Sequence, residues 1–348
     1  TGAEVKGFWG ESDERKVRDG NSVWFVSVNG SDSNSGANPD SPFKTIQKAL
    51  DESIDGDLIE VAEGTYPPSG NSALNIFKSV YIRGASSTNT IINLNYEADR
   101  FAHAEGAGLF RLESLTLLDN SPGDDGDNQA MITFERCGFL LSSCYIQGGQ
   151  SPYTIRMIRS VGSIYDSSFV ENAGPILVNH TLATFISCVF EKNTGKHGAG
   201  IRVLNSIEAV LLRFCTFISN SASYGAGIYV EDESSFSQNT YIMVAENITC
   251  VDNTAEKGGG CLYSSSPIRM VDSSFFNNTA TDSEKSNGNG GAVYLTISGQ
   301  DLLPPPDVFV GCYFTNNSAS VNGGGIYGDF NQNYRLKPED YHDNPYES

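Results

Sequence analysis

The sequence predicts an all-β solenoid, built from stacked coils of short strands and turns. One unit recurs five times between residues 187 and 328, a Phe-x-x-Asn motif followed by a glycine-rich step. The units are rich in Gly, Ser, Asn and β-branched residues with period-two alternation, which favours strands and turns over helices. A unit of about 25 to 33 residues cannot bury its apolar face alone, so the copies must stack.

Each repeated position is expected to form a ladder, because stacked coils lie about 4.8 Å apart. The predicted structural ladder contains Phe190, Asn193, Phe217, Asn220, Asn253, Phe275, Asn278, Phe314 and Asn317. Asn suits the turn because it tolerates left-handed backbone geometry, and its amide can bond the same group in the next coil. The glycine step suits a tight corner that requires positive φ or close backbone approach.

These motifs resemble a known group of proteins. The Phe-x-x-Asn and Gly-Gly-Ala-Val type repeats, such as those around Phe275 and Gly290, are similar to those of the chlamydial polymorphic membrane proteins. The pattern resembles the right-handed parallel β-helix of the pectin-lyase-like superfamily over about residues 22–330. The resemblance implies that fold. It leaves function open, since the superfamily mixes lyases, hydrolases, epimerases, adhesins and structural proteins.

Three segments are predicted along the chain. Residues 1–21 form a polar arm, residues 22–330 the β-helix with its strongest repeats at 187–328, and residues 331–348 a C-terminal tail or cap. A short helix is predicted at about 42–54, with Ser41 as its N-cap and Pro42 at its first position. Similar starts in β-helix proteins imply that this helix caps the first coil and protects its edge.

The charge balance limits the partners. The chain carries 42 acidic and 22 basic residues, a net charge of −20, so neither nucleic acid nor an anionic membrane is an expected partner. No apolar run is long enough for a membrane span. No cofactor is predicted. The acidic loop Gly123–Asp127 is compatible with calcium, but it lacks the ligand spacing of an EF-hand, and a solvated loop is the alternative.

The seven cysteines follow the repeat. Cys137, Cys188, Cys215 and Cys312 each precede a Phe by two residues, which predicts one inward column of buried thiols. A bridge between Cys188 and Cys215 in adjacent coils satisfies the Cα spacing of a disulfide. Cys250 and Cys261, which flank one corner, are a second candidate pair.

Catalytic residues are not predicted. The acidic motifs of polygalacturonases and pectin esterases are absent, and no spacing links the charged residues of the diverged early coils. These residues are Asp99, Arg100, His103, Arg111, Glu113, Arg156 and Arg159. A polysaccharide lyase with its site in these coils is the alternative, because such enzymes require an acid–base group and a cation in neighbouring coils.

A second ladder is predicted on the outer surface. If the residue after each glycine step faces inward, the next residue faces outward. The expected outer row is Arg202, Tyr229, Leu262, Tyr294 and Tyr327. Such a row could bind another subunit or stack on sugar rings, and cover by a loop or the tail is the alternative.

These observations predict a non-catalytic structural or adhesive protein of the extracellular space or cell surface. Its expected partners are further copies of itself, which would build filaments or arrays, or other surface proteins. A carbohydrate-active enzyme and a passive glycan-binding module are the alternatives, with polysaccharide as the ligand.

Five Asn-x-Ser/Thr sequons predict a glycoprotein if a eukaryotic cell secretes the chain: Asn29, Asn179, Asn247, Asn277 and Asn316. Expression in a eukaryotic secretory host should therefore give an intact mass above that of the polypeptide, with Asn→Gln at the five positions as the control. A wild-type product with the bare polypeptide mass would contradict this prediction.

Overall fold

The strands stack along one axis in four parallel sheets. The computed structural model describes residues 22–94, 100–119, 130–206, 209–231, 241–282, 288–296 and 309–328. The predicted arm (1–21), the predicted tail (331–348), the acidic loop 123–127 and Asp99 lie outside the described residues.

One helix and 36 strands make up this part of the chain. The first half contains β1 (Val23–Val26), α1 (Ile46–Glu52), β2 (Asp57–Val61), β3 (Gly64–Tyr66), β4 (Leu74–Ile76), β5 (Val80–Gly84), β6 (Thr90–Asn93), β7 (Ala102–Glu105), β8 (Leu109–Glu113), β9 (Thr116–Leu118), β10 (Ala130–Glu135), β11 (Gly138–Ser142), β12 (Tyr145–Gln147), β13 (Tyr153–Ile158), β14 (Val161–Tyr165), β15 (Ser168–Val170), β16 (Ile176–Asn179) and β17 (Leu182–Ile186). The second half contains β18 (Val189–Glu191), β19 (Thr194–His197), β20 (Ile201–Leu204), β21 (Val210–Arg213), β22 (Thr216–Ile218), β23 (Ser221–Tyr224), β24 (Ile228–Glu231), β25 (Met243–Glu246), β26 (Thr249–Val251), β27 (Thr254–Gly258), β28 (Leu262–Ser264), β29 (Ile268–Val271), β30 (Ser274–Phe276), β31 (Thr279–Ala280), β32 (Val293–Leu295), β33 (Phe309–Val310), β34 (Tyr313–Thr315), β35 (Ser318–Ala319) and β36 (Ile326–Gly328).

Each strand pairs in parallel with the equivalent strand of the next coil. Sheet A has the order β1-β2-β5-β8-β11-β14-β17-β21-β25-β29-β33, sheet B β3-β6-β9-β12-β15-β18-β22-β26-β30-β34, sheet C β4-β7-β10-β13-β16-β20-β24-β28-β32-β36 and sheet D β19-β23-β27-β31-β35. One turn of the chain therefore contributes one strand to each of sheets A, B and C, and from β19 onward also one to sheet D. The predicted right-handed parallel β-helix is confirmed. Among the described residues, no helix is long and apolar enough to cross a membrane.

A buried asparagine ladder follows sheet B. Its members are Asn172, Asn193, Asn220, Asn253, Asn278 and Asn317, and the first five are at most 1% exposed. Each Nδ2 donates to the Oδ1 of the next asparagine at 2.9 to 3.0 Å. Each Nδ2 also donates to a backbone carbonyl of the preceding coil, as Asn220 does to Phe190 O at 2.9 Å. The predicted amide contact between coils is therefore present, and it gives these buried polar groups the partners they need.

The left-handed backbone belongs to a different residue than predicted. In each coil the residue before the ladder asparagine has positive φ, for example 52° at Lys192 and 53° at Ser219. The asparagine itself turns inward, because its amide bonds both neighbouring coils. The glycine step behaves as expected, with φ of 69° at Gly198 and 54° at Gly225.

The predicted phenylalanine ladder has one interruption. Phe190 and Phe217 stack with ring centroids 4.8 Å apart, and Phe275 and Phe314 at 4.7 Å. Cys250 occupies the rung between Phe217 and Phe275. The described rings therefore form two stacks rather than one.

Cys250 forms a disulfide bond with Cys261, with a Cα–Cα distance of 6.1 Å. In the preceding coils the position of Cys261 is held by Gly200 and Gly227. A Cβ on Gly200 would lie 2.9 Å from the ring of Phe217. Where cysteine replaces the ring, space opens for the second sulfur, so the two cysteines fill the volume of a Phe–Gly pair.

The predicted thiol column is wrong at Cys137. Cys188, Cys215 and Cys312 precede strands of sheet B, whereas Cys137 precedes β11 of sheet A. Cys144, before β12, occupies the sheet B column instead. The same Cys-x-Phe sequence occurs on two different sheets, so spacing alone does not assign the column. All five cysteines outside the disulfide are buried.

The capping helix is shorter than predicted. α1 begins at Ile46, and Thr45 is its N-cap, with Thr45 Oγ1 accepting from Lys48 N at 3.2 Å. Phe43 is extended instead, since its N–H donates to Phe25 O at 2.8 Å and it bridges to Val26 of sheet A. The helix buries its apolar face, namely Ile46, Ala49 and Leu50, against the solenoid.

Replacing Asn220 by Ala should lower the free energy of unfolding by about 3 kcal/mol, because Phe190 O and the amide of Asn193 lose a buried partner. Urea denaturation followed by far-UV circular dichroism measures this. Ser219→Gly is the matched control, since glycine adopts φ of 53° freely and Ser219 is exposed. Equal losses for both variants would contradict a special role for the ladder amide.

Candidate functional site

The outer face of sheet C is the candidate functional site. Strand register aligns one outward residue from each coil, and we call this row the outer column. It runs Asn75, His103, Thr133, Arg156, Leu177, Arg202, Tyr229, Tyr263, Tyr294 and Tyr327. Its first six residues are mostly polar or basic, and the last four are all tyrosines.

The structure brings together four of the five residues predicted for this row, Arg202, Tyr229, Tyr294 and Tyr327. The prediction of Leu262 is wrong. Leu262 is completely buried and pairs with inward Ile228, so Tyr263 takes the outer place. The cause is an extra glycine: the left-handed corner is Gly259 rather than Gly258, and the register of β23 and β27 shifts in this coil.

The four tyrosines pack mainly against one another. Tyr229 and Tyr263 are stacked, with centroids 5.0 Å apart and an interplanar angle of 7°. Tyr263 meets Tyr294 edge to face at 5.3 Å, and Tyr294 lies 5.3 Å from Tyr327. Tyr229 and Tyr294 are only 6% and 8% exposed. The ring faces are largely occupied by neighbouring rings, which leaves little free surface on which a sugar could stack.

Sheet D adds aromatic and basic side chains beside the tyrosines. The ring of His197 lies 4.9 Å from that of Tyr229, and Tyr224 lies 5.2 Å from Tyr263. Two of the rings are each covered by a cation. Arg202 lies 5.7 Å from the ring centroid of Tyr229. Lys257 lies at the same distance from that of Tyr224. These contacts hold positive charge against the aromatic cluster.

Burial changes the acidity of this cluster. Burial and the nearby carboxylate of Glu231 raise the pKa of Tyr229, whose hydroxyl donates to Glu231 Oε2 at 3.1 Å. Burial raises the pKa of Tyr263 as well. Burial and the positive charge of Arg202 lower the pKa of His197, so its imidazole is neutral at pH 7. The cluster therefore has neutral rings with Arg202 and Lys257 as its cations.

A basic strip lies in the earlier coils of the same face. Arg136, Arg159 and His180 each follow a sheet C strand with φ of 47° to 49°, in three consecutive coils. Together with Arg156 and Arg202 of the outer column, these five residues define the basic strip. Arg136 and Arg159 are exposed. Within the described residues, no carboxylate lies within 4.0 Å of Arg156, Arg159 or Arg202 in a salt bridge.

Two carboxylates border the basic strip. Arg136 pairs with Glu105 and with Glu135, the latter at 3.3 Å. His103 Nε2 lies 3.6 Å from Glu135 Oε2. Glu105 and Glu135 were not among the residues predicted from the sequence. The period-two spacing in His103-Ala-Glu105 and Thr133-Phe-Glu135 is the signal that could have found them.

Arg100 reaches the outer column, since its guanidinium donates to Asn75 Oδ1 at 2.9 Å, but Arg111 and Glu113 do not join this face. Arg111 and Glu113 lie on β8 of sheet A, where Arg111 covers the ring of Tyr81 at 4.3 Å. In the described ranges, no group of three His, Cys, Asp or Glu side chains could hold a metal ion. The calcium expectation concerned loop 123–127, which lies outside these ranges.

The sequons occupy different surroundings. Asn29, Asn247, Asn277 and Asn316 are exposed, the last three in left-handed turns. Asn179 is half-buried on sheet C, and its Oδ1 lies 2.6 Å from His180 Nδ1. Glycan occupancy at these positions stays a prediction.

Comparison with known proteins finds two family matches. Residues 28–99 match a family described as "Protein of unknown function (DUF1565)". Residues 272–296 and 311–329 match the Chlamydia polymorphic membrane protein repeat. The resemblance of the motifs to these repeats is thereby confirmed for the last two coils. No curated protein matches the sequence.

Several solved structures are similar. A rhamnogalacturonan lyase shares 12% identity with a TM-score of 0.46, covering 91% of this chain and 90% of that chain. A lacto-N-biosidase from Eubacterium ramulus shares 11% identity with a TM-score of 0.37, covering 88% and 68%. The pectin methylesterase PemA from Erwinia chrysanthemi shares 11% identity with a TM-score of 0.38, covering 74% and 90%.

Some tyrosines should ionise only when the fold is lost. A raised pKa in the folded state means that the neutral phenol contributes stability below the ordinary pKa of 10.0, and that this stability is lost as pH rises further. Phenolate absorbance during alkaline titration should show a late class that coincides with the loss of the circular dichroism signal. Tyr229→Phe should remove one member of this class, and Tyr313→Phe, at an exposed position, should not. An unchanged late class in Tyr229→Phe would contradict the assignment.

Proposed function

We propose that this chain is a non-catalytic adhesive protein of the cell surface or extracellular space that binds an anionic polysaccharide along the outer face of sheet C. The observation that supports it is the basic strip, five basic side chains in neighbouring coils on one face of a chain with net charge −20. The repeats that match a surface-protein family agree with the location.

The chemistry of the basic strip suits carboxylate or sulfate groups. A guanidinium presents a planar set of donors that can bind such a group at two points. Because coils repeat about every 4.8 Å, the arginines of the strip lie at multiples of that distance along an extended polymer.

The charge of the remaining surface orients the ligand. An excess of 20 negative charges repels a polyanion over most of the surface, so the basic strip is the favourable place for contact. The strongest contacts of the strip are charge-assisted hydrogen bonds, which require an anionic group on the ligand. A neutral glycan cannot form them. The tyrosine end of the outer column then limits the ligand on one side, because its rings are occupied by each other.

A polysaccharide lyase is the second candidate, and the contact between His103 and Glu135 favours it. A lyase removes the proton next to a carboxylate with a base and stabilises the resulting charge with a cation. His103, Glu105 and Arg136 lie in two adjacent coils on this face and could fill those roles.

Binding to polygalacturonate, measured by calorimetry at low salt, tests the proposed function. Wild type should bind, and the affinity should fall as salt rises. Arg156→Gln with Arg159→Gln should weaken binding about tenfold or more, since each lost charge-assisted contact costs about 1.5 to 3 kcal/mol before screening.

Two controls belong to this experiment. Lys44→Gln with Arg269→Gln removes the same two charges from other parts of the surface and should bind as wild type does, and neutral dextran should not bind. No binding by wild type, or equal losses in both double variants, would contradict the proposal. A rise in ultraviolet absorbance from unsaturated products, lost in His103→Gln, would establish the lyase instead.

A further inference from the structure

Two thiols that form no disulfide in this structure are neighbours inside the solenoid. Cys188 and Cys215 precede β18 and β22, which pair with Val189 opposite Thr216. The two cysteines are therefore direct neighbours in adjacent coils, and they are 0% and 1% exposed. The two thiols are close enough that each shifts the pKa of the other.

We propose that Cys188 and Cys215 form a second disulfide bond, which joins two coils along the axis of the solenoid. Equivalent residues of neighbouring strands lie about 4.8 Å apart, within the Cα range that a disulfide accepts. Both cysteines follow a left-handed residue, Ser187 with φ of 54° and Phe214 with φ of 55°. The same local backbone directs both thiols into one inward column.

The column allows only this pairing. The neighbours on either side of the two cysteines are Ser167 and Ile248, as the strand register shows. Cys144 lies two coils before Cys188, and Cys312 three coils after Cys215. Neither has a cysteine as its direct neighbour in this column, so both are expected to remain thiols.

The bond requires a small-molecule disulfide such as oxidised glutathione. One protein thiolate attacks it, the glutathione S–S bond breaks, and one glutathione leaves as a thiolate that takes up a proton. The second protein thiolate then attacks the mixed disulfide and releases the other glutathione. Two protein thiols are oxidised by two electrons, and one glutathione disulfide is reduced to two thiols.

The order of events follows from burial. Contact with Cys215 and burial raise the pKa of Cys188, so the thiol stays protonated and sheltered in the folded solenoid. Exchange therefore takes place before the coils close, during folding. Protein folded under reducing conditions should keep these two thiols when oxidised glutathione is added later.

The test is refolding in a glutathione buffer oxidising enough to bridge Cys250 and Cys261 completely. The protein is then unfolded, alkylated without reduction, and digested with trypsin and with a glutamate-specific protease. Cleavage after Glu231 separates Cys215 from Cys250, so the two bridges fall in different peptides. The expected product is a linked Cys188–Cys215 peptide pair, two hydrogens lighter than the two thiol peptides, that disappears on reduction.

Alkylation of both Cys188 and Cys215 in this buffer would overturn the proposal, as would a bridge from either residue to a third cysteine. Cys215→Ser supplies the second measurement. Serine is tolerated in this column, since Ser167 and Ser273 occupy equivalent rungs. In this variant Cys188 should become fully alkylated while the Cys250–Cys261 bridge stays intact.

Discussion

The structure depends on the buried amide of one asparagine per coil in its second half. Each of these side chains accepts a hydrogen bond from the preceding rung and donates one to the next. A buried amide without such partners would be costly, so the coils must stack in one register. Because β18, β22, β26 and β30 are fixed in this way, the strands of sheets A, C and D in the same coils are fixed as well. The alignment of the outer column therefore follows from the asparagine ladder, whose side chains point to the inside of the solenoid.

The sequence was sufficient for the fold and for most of the second half, because ladder positions repeat there with little decay. The prediction of side-chain position failed where the residue spacing fits two arrangements. Three consecutive glycines at 258–260 leave the corner ambiguous, and the error moved Leu262 outward in place of Tyr263. Cys137 was misassigned because its motif occurs on a different sheet from that of Cys188. In the early coils no motif survives, so only strand pairing reveals that His103, Glu135 and Arg156 share one face.

Side-chain chemistry changes along sheet C, and Arg202 lies at the boundary, where it covers the ring of Tyr229. The other members of the basic strip lie in coils whose repeat has decayed, whereas Arg202 and the tyrosines lie in coils where the repeat is strongest. Ring-on-ring packing in the later coils is compatible with strict repetition, since identical side chains stack well on one another. A ligand-binding surface has a different requirement, because it needs unlike residues at neighbouring rungs. A binding face in the early coils would therefore require that the repeat be lost there.

The asparagine ladder also has a direction. In all five amide contacts between rungs the N–H group belongs to the earlier coil and the oxygen to the later one. The amide dipoles therefore add instead of cancelling, as peptide dipoles do along an α-helix. Each bond polarises the next one, so the ladder strengthens with its length. The solenoid carries an internal electrostatic axis, with its positive end toward the later coils, inside a chain whose surface is strongly negative.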